Sequence, residues 1–87
     1  MFDVRWTVFA RNRLAEIWLQ ASDRNAITMA VKDIDKLLAS HPQSVGESRS
    51  GSTRIMFEAS LGVTFDVLEA KRSVDVLAVW LVRRPKR

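Results

Sequence analysis

Residues 22–41, SDRNAITMAVKDIDKLLASH, decide the fold. Ala26, Ile27, Ala30, Val31, Ile34, Leu37, Leu38 and His41 recur at three- and four-residue steps, the stripe of an amphipathic helix. Arg24, Asp33, Asp35 and Lys36 lie off the stripe. Ser22 or Asp23 is placed to cap the start. Pro42 sets the end, because the residue before a proline is pushed out of the α region. A helix with one apolar stripe needs something to cover it, and a sheet is the expected cover.

Working outward toward the N-terminus, residues 10–21, ARNRLAEIWLQA, carry the same period. Ala10, Leu14, Ile17, Trp18 and Ala21 share one helical face. Such a short helix owes its stability to packing rather than to propensity. Almost nothing separates the two helices, so they form an antiparallel helical hairpin with a common apolar side. Ahead of them, residues 2–9, FDVRWTVF, alternate. Phe2, Val4, Trp6 and Val8 have one parity and Asp3, Arg5 and Thr7 the other, which reads as a strand with one face toward solvent.

Outward toward the C-terminus, residues 42–52, PQSVGESRSGS, read as a serine-rich loop punctuated by Gly46 and Gly51. They lack the glycine and lysine order of a phosphate loop. Residues 53–58, 62–69 and 74–82 read as strands. Their short connections favour an antiparallel meander. The last strand is apolar on both parities, so it is expected at the centre of the sheet or covered on both sides. The expected fold is α+β: a single domain over 1–87 with an N-terminal strand, a helical hairpin and a three-stranded meander in one sheet.

Composition narrows the chemistry. The chain has 87 residues, enough for one domain with a thin core. No cysteine is present, which removes disulfides, thiolate metal sites and cysteine nucleophiles. A reducing compartment, the cytoplasm, is expected. No run approaches the ~20 apolar residues of a membrane span, and the opening MFDVRW is unlike a signal peptide. The net charge is +4 and is unevenly spread. Lys71, Arg72, Arg83, Arg84, Lys86 and Arg87 face Asp75 alone in the last 17 residues. A basic end of this kind draws anionic partners such as nucleic acid or the ribosome.

Few residues offer catalysis. His41 is the one histidine, and at a helix end it suits the terminal carbonyls better than a metal. No metal or cofactor is expected, and no carboxylate pair or Ser-His-Asp order stands out. Arg54 does, as the charge inside the strand sequence TRIM, on the opposite parity to Thr53, Ile55 and Phe57. A cation there either reaches water or meets an anion. Arginine and lysine can stabilise charge on a phosphate that a neighbouring 2′-hydroxyl attacks, although they are poor general bases. Trp6 and Trp18 lie on core stripes; Trp80 could cover the hairpin or a partner.

The stretches LAEIW (14–18), IDKLLASHP (34–42), GESRSGSTRIMFE (46–58), GVTFDVLE (62–69) and VDVLAVW (74–80) together resemble the RelE/ParE superfamily of toxins, the plasmid-stabilisation type of bacterial toxin–antitoxin system. The resemblance implies a microbial-RNase-like fold and a cognate antitoxin that covers the toxin with a peptide segment including a helix. RelE-like members cut messenger RNA in the ribosome without metal; ParE-like members inhibit DNA gyrase. Arg54 resembles the family's strand arginine that stabilises phosphate charge. Lys71, Arg72 and Arg83 resemble further catalytic cations, and Arg84, Lys86 and Arg87 groups that hold RNA. The antitoxin is expected on exposed apolar surface of the hairpin or around Trp80 and Leu81.

One departure bears on activity. The RNase branch commonly has a tyrosine or histidine near the end of its last strand, where this chain reads AVWLVRRPKR and places Leu81. No tyrosine occurs anywhere in the sequence. Ribosome-dependent mRNA cleavage, gyrase inhibition and a degenerate, non-toxic binding protein all remain open, with mRNA cleavage ranked first on the basic C-terminal end.

Overall fold

The computed structural model describes residues 1–82. Its elements run β1 (Asp3–Trp6), α1 (Val8–Gln20), α2 (Arg24–Ser40), β2 (Glu47–Ser50), β3 (Thr53–Glu58), β4 (Leu61–Leu68) and β5 (Ser73–Leu81). The strands form one sheet in the order β1-β5-β4-β3-β2, with β1 parallel to β5 and the other pairs antiparallel. The expected α+β arrangement of strand, hairpin and meander is present.

Thr7 is where the first strand becomes the first helix. Its hydroxyl donates to the Val76 carbonyl at 2.8 Å and accepts from the Ala10 N–H at 3.2 Å. One side chain thus pins the corner to β5 and caps α1. Val8 and Phe9, expected at the end of the strand, therefore form the first helical turn, and both are exposed. Phe2, Val4 and Trp6 pack against the core as their parity requires.

Asp23, not Ser22, caps α2, accepting from the Ala26 N–H at 3.0 Å. The next residue works backward: Arg24 donates to the carbonyls of Trp18 and Leu19 at 3.1 and 3.0 Å, closing the open end of α1. Ile27, Ala30, Ile34 and Leu38 form the buried side of α2. Ala26 and His41, assigned to the same stripe, are exposed at its two ends. At the C-terminus the His41 N–H donates to the Leu37 carbonyl at 2.8 Å. Trp6 fixes the helix to the sheet, donating from its indole nitrogen to Asp35 at 2.8 Å.

The core lies between the hairpin and one face of the sheet. Register sets Val4, Val74 and Val67 in one row on that face, and Trp6, Val76 and Phe65 in the next. Met56, Val63 and Val79 make a third. A bulge in β5 opposite Thr64 and Phe65 shifts the alternation, so Val74 and Val76 before it and Val79 after it face the same side. The bulge accounts for a strand that reads as apolar on both parities; β5 lies inside the sheet between β1 and β4, and β4 is the central strand.

The sheet has one strand more than expected. Residues 47–50, assigned to a loop, pair with β3 as an edge strand, so the meander has four strands. Every residue of ESRS is exposed, and charged, short edge strands carry no apolar alternation to read. Gly46 makes the entry possible: its φ is +70°, and a Cβ there would run into the Ile55 carbonyl. No described helix is long and apolar enough to cross a membrane.

Candidate functional site

Three surfaces carry the side chains singled out above. The first is a cleft of about 450 Å³ lined by Gln43, Gly51, Ser52, Arg54, Val67 and Glu69. Arg54 reaches it from β3 on the helix side of the sheet, in the row of Phe65 and Val76. Its Nε donates to the Val45 carbonyl at 3.1 Å and its Nη2 to the Gly46 carbonyl at 3.2 Å. The guanidinium thus holds the loop that leads into β2, a structural task the sequence did not disclose. Lys71 and Arg72 follow Glu69 in a 3-10 turn between β4 and β5. Arg72 has φ +51°, sits 4.5 Å from the Phe2 ring centroid and lies 3.8 Å from the Glu69 carboxylate.

Arg54 and Glu69 line the cleft together, whereas Arg72 turns to Phe2 beside β1, and neither it nor Lys71 lines the cleft. A guanidinium suits a phosphate; a carboxylate in the same cleft opposes one. The titratable groups lining the cleft are Arg54 and Glu69. Arg83, Arg84, Lys86 and Arg87 lie outside the described residues. The last described residue, Val82, donates to the Ser60 carbonyl at 2.7 Å, beside the β3–β4 turn and at the opposite end of β5 from Lys71.

The second surface is a groove of about 510 Å³ between the helices. Leu14, Ala15, Trp18 and Leu19 of α1 face Ile27 and Val31 of α2, with Arg11 and Lys32 also lining it. Trp18, expected in the core, is 40% exposed. Its indole donates to the Thr28 hydroxyl at 3.2 Å, and the Arg24 guanidinium lies 4.7 Å from the ring centroid. The side chain is held in place from two directions yet presents its surface outward, as a docking residue does. Two helices on a narrow sheet leave part of each apolar stripe uncovered, and Trp18 falls on that part.

The third surface is the face of the sheet opposite the helices. Register brings Phe57, Gly62 and Trp80 into one row on β3, β4 and β5. Trp80 lies over Gly62, where an added Cβ would come within 2.5 Å of the indole. The Phe57 ring meets it edge-on at 6.2 Å. Leu81, grouped with Trp80 as a partner contact, pairs in register with Leu61 and faces the helix side. The two residues are adjacent in sequence but belong to different surfaces. Phe57 takes the place beside Trp80, and no single-strand pattern could have named it.

No protein-family model matches the sequence, and no curated protein matches it. Solved structures do match in shape. A chain of the RelBE2 toxin–antitoxin complex of Mycobacterium tuberculosis aligns over 92% of this chain and 90% of its own, at 18% identity and a TM-score of 0.76. A chain of the chromosomal ParDE system of P. aeruginosa aligns over 95% and 98%, at 19% identity and 0.65. The isolated E. coli RelE toxin aligns over 99% and 89%, at 15% identity and 0.67. The fold is that of the RelE and ParE toxins. The alignments span 92% to 99% of this chain. At these identities the likeness fixes the architecture and leaves chemistry to the residues.

Proposed function

We propose that this chain is the toxin of a toxin–antitoxin pair and that its antitoxin lays an amphipathic helix in the groove between α1 and α2. The observation that carries this reading is the groove itself, apolar along its floor and flanked by Arg11 and Lys32, on a fold shared with RelE and ParE toxins. An apolar helix face bordered by Asp or Glu would complement both features. Leu19, 62% exposed, is the residue such a helix would bury first.

For the toxic act we infer a protein target, as in gyrase inhibition, ahead of mRNA cleavage. Arg54 already gives two donors to backbone carbonyls, and Glu69 shares its cleft and lies 3.8 Å from Arg72. Among the described residues the cleft is lined by no histidine, tyrosine or lysine that could protonate the leaving oxygen of strand cleavage. The nuclease reading keeps one specific support: the Arg54 guanidinium lines an open cleft, where a phosphate could sit.

Inducible expression in a bacterium separates these readings. Wild type and Arg54→Ala are compared for growth, for 5′ ends of cellular mRNA and for DNA damage signals. Arrest with intact mRNA and DNA damage supports the protein target. Arrest with new codon-phased 5′ ends that vanish in Arg54→Ala, while the variant stays folded, replaces it with ribosome-dependent cleavage. Normal growth with folded protein leaves a non-toxic binding member and overturns the toxin assignment.

A further inference from the structure

We propose that the helix-free face of the sheet docks a basic polypeptide segment with an apolar anchor. The proposal stands on that face alone and does not rest on toxicity. Phe57 is 59% exposed there, and its edge-on contact with Trp80 over Gly62 makes a preformed aromatic platform. Four positions along β4 from Gly62 lies a polar row in which Thr53, Asp66, Asp75 and Arg5 are side by side. Register adds Asp3 and Glu47 to the same face.

Charge chooses the occupant. Four carboxylates, Asp3, Glu47, Asp66 and Asp75, share the face with Arg5, which already pairs with Asp75 at 3.2 Å. Arg54 points to the other side of the sheet, and Arg49 lies in the β2 bulge. The Asp66 Oδ1 accepts from the Ser52 and Thr53 hydroxyls at 2.6 and 3.0 Å, which holds the carboxylate in place on the face. On a chain of net charge +4, the described residues thus present an acidic surface on this one side. A nucleic acid could stack bases on Phe57 and Trp80, but each base would bring a phosphate toward the acids. A lysine- or arginine-bearing segment gains on both counts, since its cations meet carboxylates and its apolar stems lie on the rings.

The spacing adds a constraint. Gly62 and Asp66 are separated by roughly 13 Å along the strand at ~3.3 Å per residue. An extended segment would therefore place its apolar anchor about four residues from its first basic group, both on one side.

The test titrates the isotope-labelled full chain with a peptide of one leucine, three serines and two Lys-Ser repeats, and reads backbone amide shifts. Shifts clustered at Phe57, Gly62, Asp66 and Trp80 are expected. Phe57→Ala and Asp66→Asn should each weaken binding roughly tenfold, with dispersed spectra showing that both variants fold. A groove variant, Leu19→Lys, should leave the titration unchanged. The same peptide with glutamate for lysine, and a twelve-nucleotide oligouridine, are the competing probes. Absence of binding, equal affinity in the face variants, or shifts on this face from oligouridine instead would overturn the proposal. Because growth is not read, a failed toxin assignment and a failed docking face give different results.

Discussion

The two faces of the sheet are made by the same strands, residue by residue, and share almost no chemistry. On the helix side Val63, Phe65, Val74 and Val76 are fully buried. On the other side their immediate neighbours Thr64, Asp66, Asp75 and Leu77 are only half-buried. Period-two alternation thus divides the meander into a side that holds the molecule together and a side left for other tasks. Substitutions on the two sides should separate accordingly, the first read in stability and the second in binding.

The largest effect is expected from Phe65→Ala. Phe65 is central in β4 and has no exposed surface, so truncation leaves a cavity between Trp6, Val76 and the hairpin. Urea denaturation should show a loss of about 3–5 kcal/mol, a large part of the stability of so small a domain. A loss below about 1 kcal/mol would mean that the helix side is loosely packed and that the contrast between faces is false. Gly62→Val should come next, although it lies on the open face. Its side chain would displace the Trp80 indole, at a cost of about 1–3 kcal/mol. Tryptophan fluorescence should shift toward the red as Trp80 moves into solvent.

The helix-side residues were legible because burial leaves a period in the sequence: Val63, Phe65 and Val67 alternate, and Ile27, Ala30, Ile34 and Leu38 step by three and four. What was not legible depended on pairing or on single polar atoms. The edge strand 47–50 has no apolar residue to alternate. Thr7 moves the first helix two residues forward through one hydroxyl bonded to both β5 and α1. The Phe57–Gly62–Trp80 row exists only once three strands are in register, so Trp80 could be singled out without its neighbours. Arg54 stands out in the sequence as a charge inside a strand, but its partners are carbonyls of the loop reached only after the chain folds.

Arg54→Met sharpens the comparison at a helix-side residue held by polar contacts instead of packing. Loss of the two bonds to Val45 and Gly46 should cost about 1–2 kcal/mol, less than a buried pair because the guanidinium is partly solvated. Amide exchange should rise first in the 42–50 segment. If Arg54→Met kept full stability yet abolished growth arrest, the cation would belong to the toxic act and not to the loop.

The smallest expected effect is Phe57→Ala, and it tests the division most directly. The ring rests edge-on against Trp80 and is mostly in water, so its removal should change stability by less than about 0.5 kcal/mol. Affinity for the basic peptide should nonetheless fall, because the anchor would lose half of its platform. A stability loss comparable to that of Phe65→Ala would show that Phe57 and Trp80 act as a second small core, and the open face would then be structural after all. Near-zero loss with weakened binding would place the aromatic pair among residues kept for a partner, on strands whose alternate positions already supply the fold.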